Sequence, residues 1–146
     1  MQTVLMADDD PEDCLLVRDA MREAGWSCDL RFVHDGEELF DYLRGRGEFA
    51  GSQAGPRPDL ILLDLKMPRK DGREALRELK ADPRYRQIPV IALTTSSASD
   101  DVECAYAAGV NAYVTKPSTF RELVKVVAAL GKYWFEVVEL PPKHGD

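Results

Sequence analysis

Residues 60–68 read Leu-Ile-Leu-Leu-Asp-Leu-Lys-Met-Pro, a run of large apolar side chains that stops at one carboxylate, Asp64. The length and composition of this run are typical of a strand buried on both faces of a parallel sheet. A charge inside such a strand would cost much free energy unless it were compensated. At the carboxyl end of the strand, however, a charge lies where open α/β sheets place their active sites. The segment therefore predicts both a fold class and a reactive residue.

Strand and helix patterns alternate along the whole chain. Short apolar runs predict strands at residues 3–7, 30–33, 60–64, 89–93 and 112–115. Amphipathic helices are predicted to begin near Pro11, Asp35, Asp71, Ser99 and Thr119, the last reaching residue 138. Right-handed crossovers make such a sheet parallel, with helices on both faces. We therefore expect an α/β fold, a flavodoxin-like (βα)5 doubly wound parallel sheet with strand order 2-1-3-4-5.

The length and composition indicate one ordinary globular domain. The chain has 146 residues, of which 45% are hydrophobic and 31% are charged. We expect one domain over residues 1–140, a short tail over 141–146 and no output domain. A glycine-rich connector, residues 45–58, is expected to be mobile.

The charge argues against two classes of partner. The formal net charge is -7, which disfavours nucleic acid and anionic membranes as partners. No run approaches the roughly 20 apolar residues of a membrane span, and no signal-peptide pattern opens the sequence. We therefore expect a cytoplasmic protein that binds neither nucleic acid nor membrane.

Polar residues follow four of the five predicted strands. Asp8, Asp9 and Asp10 follow the first, Asp64 the third, Thr94 the fourth and Lys116 the fifth. Each is unremarkable alone, because acids favour helix N-termini and most threonines and lysines are solvated. In the expected topology, however, all of them share one edge of the sheet. Their combination predicts a site at that edge.

The combination suits phosphoryl transfer to a carboxylate. Clustered carboxylates repel one another, and Mg²⁺, which prefers oxygen ligands, relieves that repulsion. A remaining carboxylate can then attack phosphorus and form an aspartyl phosphate. The transferred group needs its oxygens neutralised, which a metal, an ammonium and a hydroxyl can do.

Four motifs resemble the receiver domains of two-component response regulators, in order and with the spacing of that family. They are Ala7-Asp8-Asp9, Leu63-Asp64-Leu65-Lys66-Met67-Pro68, Leu93-Thr94-Thr95-Ser96 and Thr115-Lys116-Pro117. The resemblance implies that Asp64 is the phosphoacceptor. It implies a Mg²⁺ site formed by the carboxylates of Asp8, Asp9 and Asp64 and the backbone carbonyl of Lys66.

The resemblance also assigns roles to the residues after the last two strands. It implies that Thr94 is a catalytic and switch hydroxyl, and that Tyr113 is the switch aromatic that follows it inward. Packing on an edge strand is the simpler alternative for Tyr113. Lys116 would pair with the phosphoryl oxygens, and the Lys116–Pro117 peptide bond would be cis. Asp10 is a third acid beside the usual pair, and either capping of the first helix or tuning of the metal site would explain it.

Three further features resemble a subgroup of small single-domain regulators paired with phytochrome-type sensor histidine kinases. These features are residues 67–74, the long connector 45–58 and the aromatic pair Tyr133-Trp134. The resemblance implies a kinase of that type as partner and light as the signal. Similar stand-alone regulators serve other hybrid kinases, so a non-phytochrome kinase is the alternative.

The last helix carries two apolar stripes, although only one can face the sheet. The first consists of Phe120, Leu123, Val124, Val127 and Trp134 and is expected to pack on the sheet. The second consists of Val126, Leu130, Tyr133, Val137 and Leu140. We expect a homodimer through Val126, Leu130, Tyr133 and Val137. The alternative is that the chain end folds back on its own body.

Two other functions are alternatives to a phosphorylated receiver. A haloacid-dehalogenase-type phosphatase uses D-x-D-x-[TV] after its first strand; Asp8-x-Asp10 fits, but Glu12 occupies the position of Thr or Val. A receiver-like scaffold without chemistry is disfavoured by the intact acids, threonine and lysine. We expect a signalling protein that catalyses only its own phosphorylation and dephosphorylation.

Overall fold

The computed structural model describes residues 1–142, which form a five-stranded sheet flanked by helices. The strands are all parallel and lie in the order β2-β1-β3-β4-β5, so the predicted fold class and strand order are confirmed. The strands are β1 (Thr3–Ala7), β2 (Asp29–Val33), β3 (Leu60–Leu63), β4 (Val90–Thr94) and β5 (Ala112–Thr115).

Five α-helices follow the five strands in turn. They are α1 (Pro11–Glu23), α2 (Gly36–Arg44), α3 (Gly72–Ala81), α4 (Ser99–Ala107) and α5 (Phe120–Gly131). Side chains cap four of them, because Asp10, Asp35, Asp71 and Thr119 each accept a hydrogen bond from a backbone N–H of the first turn. None of the helices within residues 1–142 combines the length and apolarity that a membrane crossing requires.

The alternation of side chains along the strands builds a separate core on each face of the sheet. In β3, Leu60 and Leu62 pack against α1 and α5, whereas Ile61 and Leu63 pack on the side of α2 and α3. All four side chains are buried. A strand buried on both faces holds the residue that follows it, Asp64, in a rigid frame.

The connector 45–58 contains more order than the prediction of a mobile segment. It forms two 3₁₀ turns, Gly47–Phe49 and Gly51–Gln53. Phe49 packs edge-on against Tyr42 of α2, with the ring centroids 5.1 Å apart. The Tyr42 hydroxyl donates a 2.8 Å hydrogen bond to the carbonyl of Pro56. These contacts anchor the connector at both ends.

The first apolar stripe of α5 packs as predicted except at its start. Leu123 and Val127 are buried in the core, and Val124 and Trp134 pack partly against it. Phe120 does not face the sheet; its side chain is exposed, because it is the first residue of the helix and lies beyond the edge of the core. The prediction for Phe120 was wrong.

The positions of residues 140–142 partly support the alternative that the chain folds back on its own body after α5. Leu140 is half-buried, and Pro141 and Pro142 line a small cavity together with Pro58 and Pro89. Val137 remains exposed. Residues 143–146 of the predicted tail lie outside the described part of the chain.

Trp26 inserts against α5 at the point where that helix changes its geometry. Its indole Nε1 donates a 2.7 Å hydrogen bond to the carbonyl of Val127, and Phe135 meets the indole edge-on, with the centroids 5.0 Å apart. After Gly131 the helix continues as a π-helical segment, Lys132–Val137. Side chains that insert into the backbone ladder are a common cause of such changes. A Cβ at position 131 would lie 2.3 Å from Trp26 Nε1, so this approach requires glycine.

We predict that Gly131→Ala destabilises the fold by about 1–3 kcal/mol, the usual cost of overpacking. Helix propensity alone predicts the opposite sign, because alanine is favoured over glycine by about 1 kcal/mol. Urea unfolding of both proteins measures the difference. Lys132→Ala, at the exposed neighbouring position, serves as the control and should change stability by less than about 0.5 kcal/mol. A stabilised Gly131→Ala protein would show that the indole does not need this space.

Candidate phosphoacceptor site

The Asp64 carboxylate lies just beyond β3 and is held by both neighbours along the sheet. Its backbone N–H donates to the carbonyl of Ala7 at 2.9 Å, which continues the pairing of β3 with β1. Its Oδ1 accepts hydrogen bonds from the Lys66 backbone N–H at 3.0 Å and from the Thr94 hydroxyl at 3.1 Å. The side chain is 13% exposed. A partly accessible carboxylate in a fixed orientation is suited to react with a group that arrives from solvent.

Three carboxylates converge at this edge of the sheet, as the sequence predicted. Oxygen atoms of Asp8, Asp9 and Asp64 lie within 4.8 Å of one another. Asp8 is 0% exposed, and burial raises the pKa of its carboxyl group although a hydrogen bond from Lys116 opposes that effect. Oxygen-only donors at such spacing fit a hard divalent cation, whose charge would offset the repulsion among them. The Lys66 carbonyl as a fourth ligand stays a prediction.

Lys116 is the buried cation of the site. Its Nζ contacts Asp8 Oδ2 at 2.6 Å, Asp13 Oδ2 at 2.9 Å and Asp64 Oδ2 at 3.5 Å, and its side chain is only 8% exposed. Burial alone would lower the pKa of this ammonium, but the hydrogen bonds and charges of the carboxylates raise it well above the ordinary value. Lys116 is therefore fully charged at physiological pH.

The backbone after β5 joins this ammonium to β4. The Lys116 backbone N–H donates to the carbonyl of Thr94 at 2.7 Å. The following peptide bond was predicted to be cis, but among residues 1–142 no peptide bond is cis. The sequence does not determine this isomer, because cis and trans X–Pro bonds differ by only about 0.5–1 kcal/mol.

The structure assigns different tasks to Asp10 and Asp13, two of the three acids at the start of α1. Asp10 accepts a 2.9 Å hydrogen bond from the Glu12 backbone N–H and caps α1, which is the first of its two predicted roles; tuning of the metal site stays a prediction. Asp13 reaches Lys116 instead, a contact that the sequence reasoning missed. The sequence signal that could have indicated this contact was an acid in the first turn of α1, directly after the acids that follow β1.

Thr94 and Tyr113, the two predicted switch residues, both make hydrogen bonds at or next to the site. Thr94 is fully buried, with its hydroxyl directed at Asp64. Tyr113 packs partly against the core and donates a 2.8 Å hydrogen bond to the carbonyl of Ser96. The Ser96 hydroxyl contacts Asp101, which also pairs with Arg73 of α3 at 2.9 Å. The loop after β4 is thus tied to the site, to β5 and to α3, while the switch role stays a prediction.

The loop from Asp64 to Gly72 is tied to the start of α2. Arg69 Nη2 lies 2.6 Å from Asp35 Oδ2, and its Nη1 lies 3.2 Å from Glu37 Oε2. The Gly36 backbone N–H donates to the carbonyl of Lys70 at 3.0 Å. Arg69 has a φ of +59°, the one non-glycine residue with positive φ in the described chain. Gly72 closes the loop so tightly that a Cβ there would lie 2.2 Å from the Asp64 carbonyl.

The sequence matches the family profile of the response regulator receiver domain over residues 4–128. This match spans β1 to α5 and includes every residue of the site described above. The chain belongs to the response regulator receiver family. The alternative of a haloacid-dehalogenase-type phosphatase is thereby set aside, in agreement with the capping role of Asp10.

Three known response regulators are similar to this receiver over nearly their whole length. Response regulator Rcp1 of Synechocystis sp. is 39% identical over 140 residues, covering 96% of this chain and 93% of Rcp1. The phosphorylated cyanobacterial phytochrome response regulator RcpA matches at 38% identity and a TM-score of 0.87, with 97% and 99% of the chains covered. A response regulator in red light signaling of R. palustris matches at 40% identity and a TM-score of 0.91, with 98% and 100% covered. Rcp1 has also been solved in a Mn²⁺-bound form.

We predict that the left-handed backbone at Arg69 makes Arg69→Gly more stable than Arg69→Ala, by about 0.5–1 kcal/mol. Both variants lose the pairing with Asp35, but only alanine retains the steric cost of positive φ. Urea unfolding measures the difference. The matched pair Arg121→Gly and Arg121→Ala, at an exposed helical position of α5, should show the opposite order. Equal stability of the two Arg69 variants would contradict a strained loop.

Proposed function

We propose that this receiver is a stand-alone response regulator that accepts a phosphoryl group on Asp64 from a sensor histidine kinase. The observation that carries the proposal is the position of this carboxylate. The Asp64 carboxylate is partly exposed, so a phosphodonor can reach it. It also contacts Lys116 and Thr94, the charged and polar groups that would stabilise an added phosphoryl group. Phosphorylation would signal through altered protein contacts.

The chain's own residues would serve the transfer as follows. The phosphorus–nitrogen bond of a kinase phosphohistidine breaks while an Asp64 carboxylate oxygen forms the new bond to phosphorus. Lys116 and the Thr94 hydroxyl would neutralise the equatorial oxygens, which carry the charge of the transition state. Asp8, Asp9, Asp64 and the Lys66 carbonyl would hold Mg²⁺, which supplies further positive charge to the same oxygens. The histidine keeps the electron pair of the broken bond and takes up a proton from water.

A phytochrome-type kinase is the proposed phosphodonor. The support is the similarity over nearly the whole chain to RcpA, to Rcp1 and to the red-light regulator of R. palustris. The resemblance of the connector and of the aromatic pair Tyr133-Trp134 agrees with this assignment. A cytoplasmic location belongs to the same proposal, since a kinase of this kind draws its phosphoryl group from ATP.

We predict that Mg²⁺ and acetyl phosphate give the wild-type protein an acid-stable, base-labile phosphoryl adduct that Asp64→Asn cannot form. Intact-protein mass spectrometry detects the adduct, and a phosphorylated phytochrome-type kinase serves as a second donor. Asp10→Asn is the matched control, because it changes the same kind of side chain two residues from Asp8 yet should retain the adduct. Removal of divalent cations with EDTA should abolish labelling. An adduct that persists in Asp64→Asn would overturn the assignment.

We further propose that a second copy of the chain covers the surface formed by α5 and the edge strand β5. A groove of about 530 Å³ runs between these elements and is lined by Asn111, Ala112, Val114, Val126, Ala129, Leu130, Tyr133 and Trp134, all but the first of them largely apolar. Tyr133 and Val137 protrude beside it with half or more of their surface exposed. A protruding apolar ridge next to an apolar groove is self-complementary about a twofold axis. A movement of Tyr113 on phosphorylation would alter β5 and therefore this surface.

We predict that the wild-type protein sediments as a dimer and that Tyr133→Glu shifts it to a monomer, because a buried unpaired charge disfavours association. Sedimentation velocity over a range of concentrations measures the effect. Leu15→Glu, which places the same charge at an exposed apolar position of α1, should leave the dimer intact. A monomeric wild-type protein, or equal behaviour of both variants, would contradict the proposed surface.

A further inference from the structure

Asp13 is the residue of the site that the phosphoryl-transfer scheme leaves without a task. Its Oδ2 lies 2.9 Å from Lys116 Nζ, between the 2.6 Å contact of Asp8 and the 3.5 Å contact of Asp64. It does not belong to the carboxylates that converge as possible metal ligands. Its hydrogen bond in the site is therefore to the ammonium, and it is not one of the possible metal ligands.

Its place at the start of α1 does not explain this contact. Acids are favourable in the first turn of any helix, and Glu12 satisfies the same preference. Asp10 already supplies the capping hydrogen bond. Among these three acids, the structure shows a hydrogen bond to Lys116 only for Asp13. The contact is therefore a specific feature of the site.

One ammonium has three N–H donors, and in the structure three carboxylates share them. A phosphoryl group on Asp64 needs one or more of these donors, so an existing contact must weaken. Asp8 is 0% exposed, so water cannot take the place of the ammonium there. Asp13 is 33% exposed, so water can replace the ammonium there at little cost. The Asp13 contact is the one that can be exchanged.

We propose that Asp13 is a positioning residue that competes with Asp64 for the ammonium of Lys116 and thereby slows phosphorylation. The proposal rests on the proposed role of Asp64 as phosphoacceptor. When the transition state forms, Lys116 moves from Asp13 to the phosphoryl oxygens and Asp13 is hydrated. The carboxylate also adds negative charge near the metal site. Loss of Asp13 would thus favour the transfer but weaken cation binding.

The test compares Asp13→Asn with wild type at saturating Mg²⁺ and acetyl phosphate. We expect phosphorylation to accelerate about two- to fivefold, the range of a partly exposed ion pair. Mg²⁺ affinity, measured by calorimetry without phosphodonor, should fall about twofold. A merely structural role would instead lower both the rate and the affinity. Asp13→Glu should return the rate towards that of wild type.

Glu12→Gln is the matched control, because it removes the same charge one residue away without touching Lys116. It should leave the rate at saturating Mg²⁺ unchanged. A rate for Asp13→Asn that equals or falls below that of wild type would overturn the proposal. If the wild-type protein takes up no phosphoryl group, the proposed function has failed instead. In that case the ¹⁵N chemical shift of the Lys116 ammonium, compared between wild type and Asp13→Asn, tests the positioning role by itself. A changed shift is expected, and an unchanged shift would exclude the positioning role.

Discussion

The structure depends on the neutralisation of several carboxylates at one edge of a buried sheet. Asp8 is wholly removed from water, and only the ammonium of Lys116, itself nearly buried, is close enough to balance it in the described chain. Buried charges are tolerated only when they are paired and hydrogen-bonded. One ammonium among the four carboxylates of Asp8, Asp9, Asp13 and Asp64 leaves an excess of negative charge. This excess favours the binding of a divalent cation, and that cation together with Lys116 would supply the positive charge that the oxygens of a phosphoryl group need.

Hydrogen bonds from the residues around the site connect it to the neighbouring strands and loops. Thr94 joins Asp64 to β4, and the backbone of Lys116 joins β4 to β5. Tyr113 then links β5 to the loop that begins at Ser96. These hydrogen bonds connect Asp64 to β5, the strand that borders the groove proposed to receive a second copy. The site and the groove are close to each other because β5 contributes to both: its residues line the groove, and Lys116 follows its last residue.

The sequence predicted the strand order, because each apolar run is short, each is followed by an amphipathic helix, and parallel strands then allow few arrangements. It also brought Asp8, Asp9, Asp64, Thr94 and Lys116 together, since every one follows a strand and the strands share a direction. It failed where a contact depends on side-chain orientation. Phe120 was assigned to the core by its spacing, yet it lies beyond the sheet edge and is exposed. Asp13 was overlooked because helix periodicity does not reveal which first-turn acid reaches a lysine 103 residues away.

The amino-acid sequence by itself determined the class of fold, the edge that carries the chemistry and the residue types at that edge, because periodicity and strand ends are local properties. Tertiary structure alone decided how those residues divide the work. It made Asp10 a helix cap and Asp13 a partner of Lys116, although both are acids at the start of α1. It also required glycine at position 131, where Trp26 approaches α5 from a distant part of the chain. Such outcomes depend on distances between segments remote in sequence, and only the packed fold sets those distances.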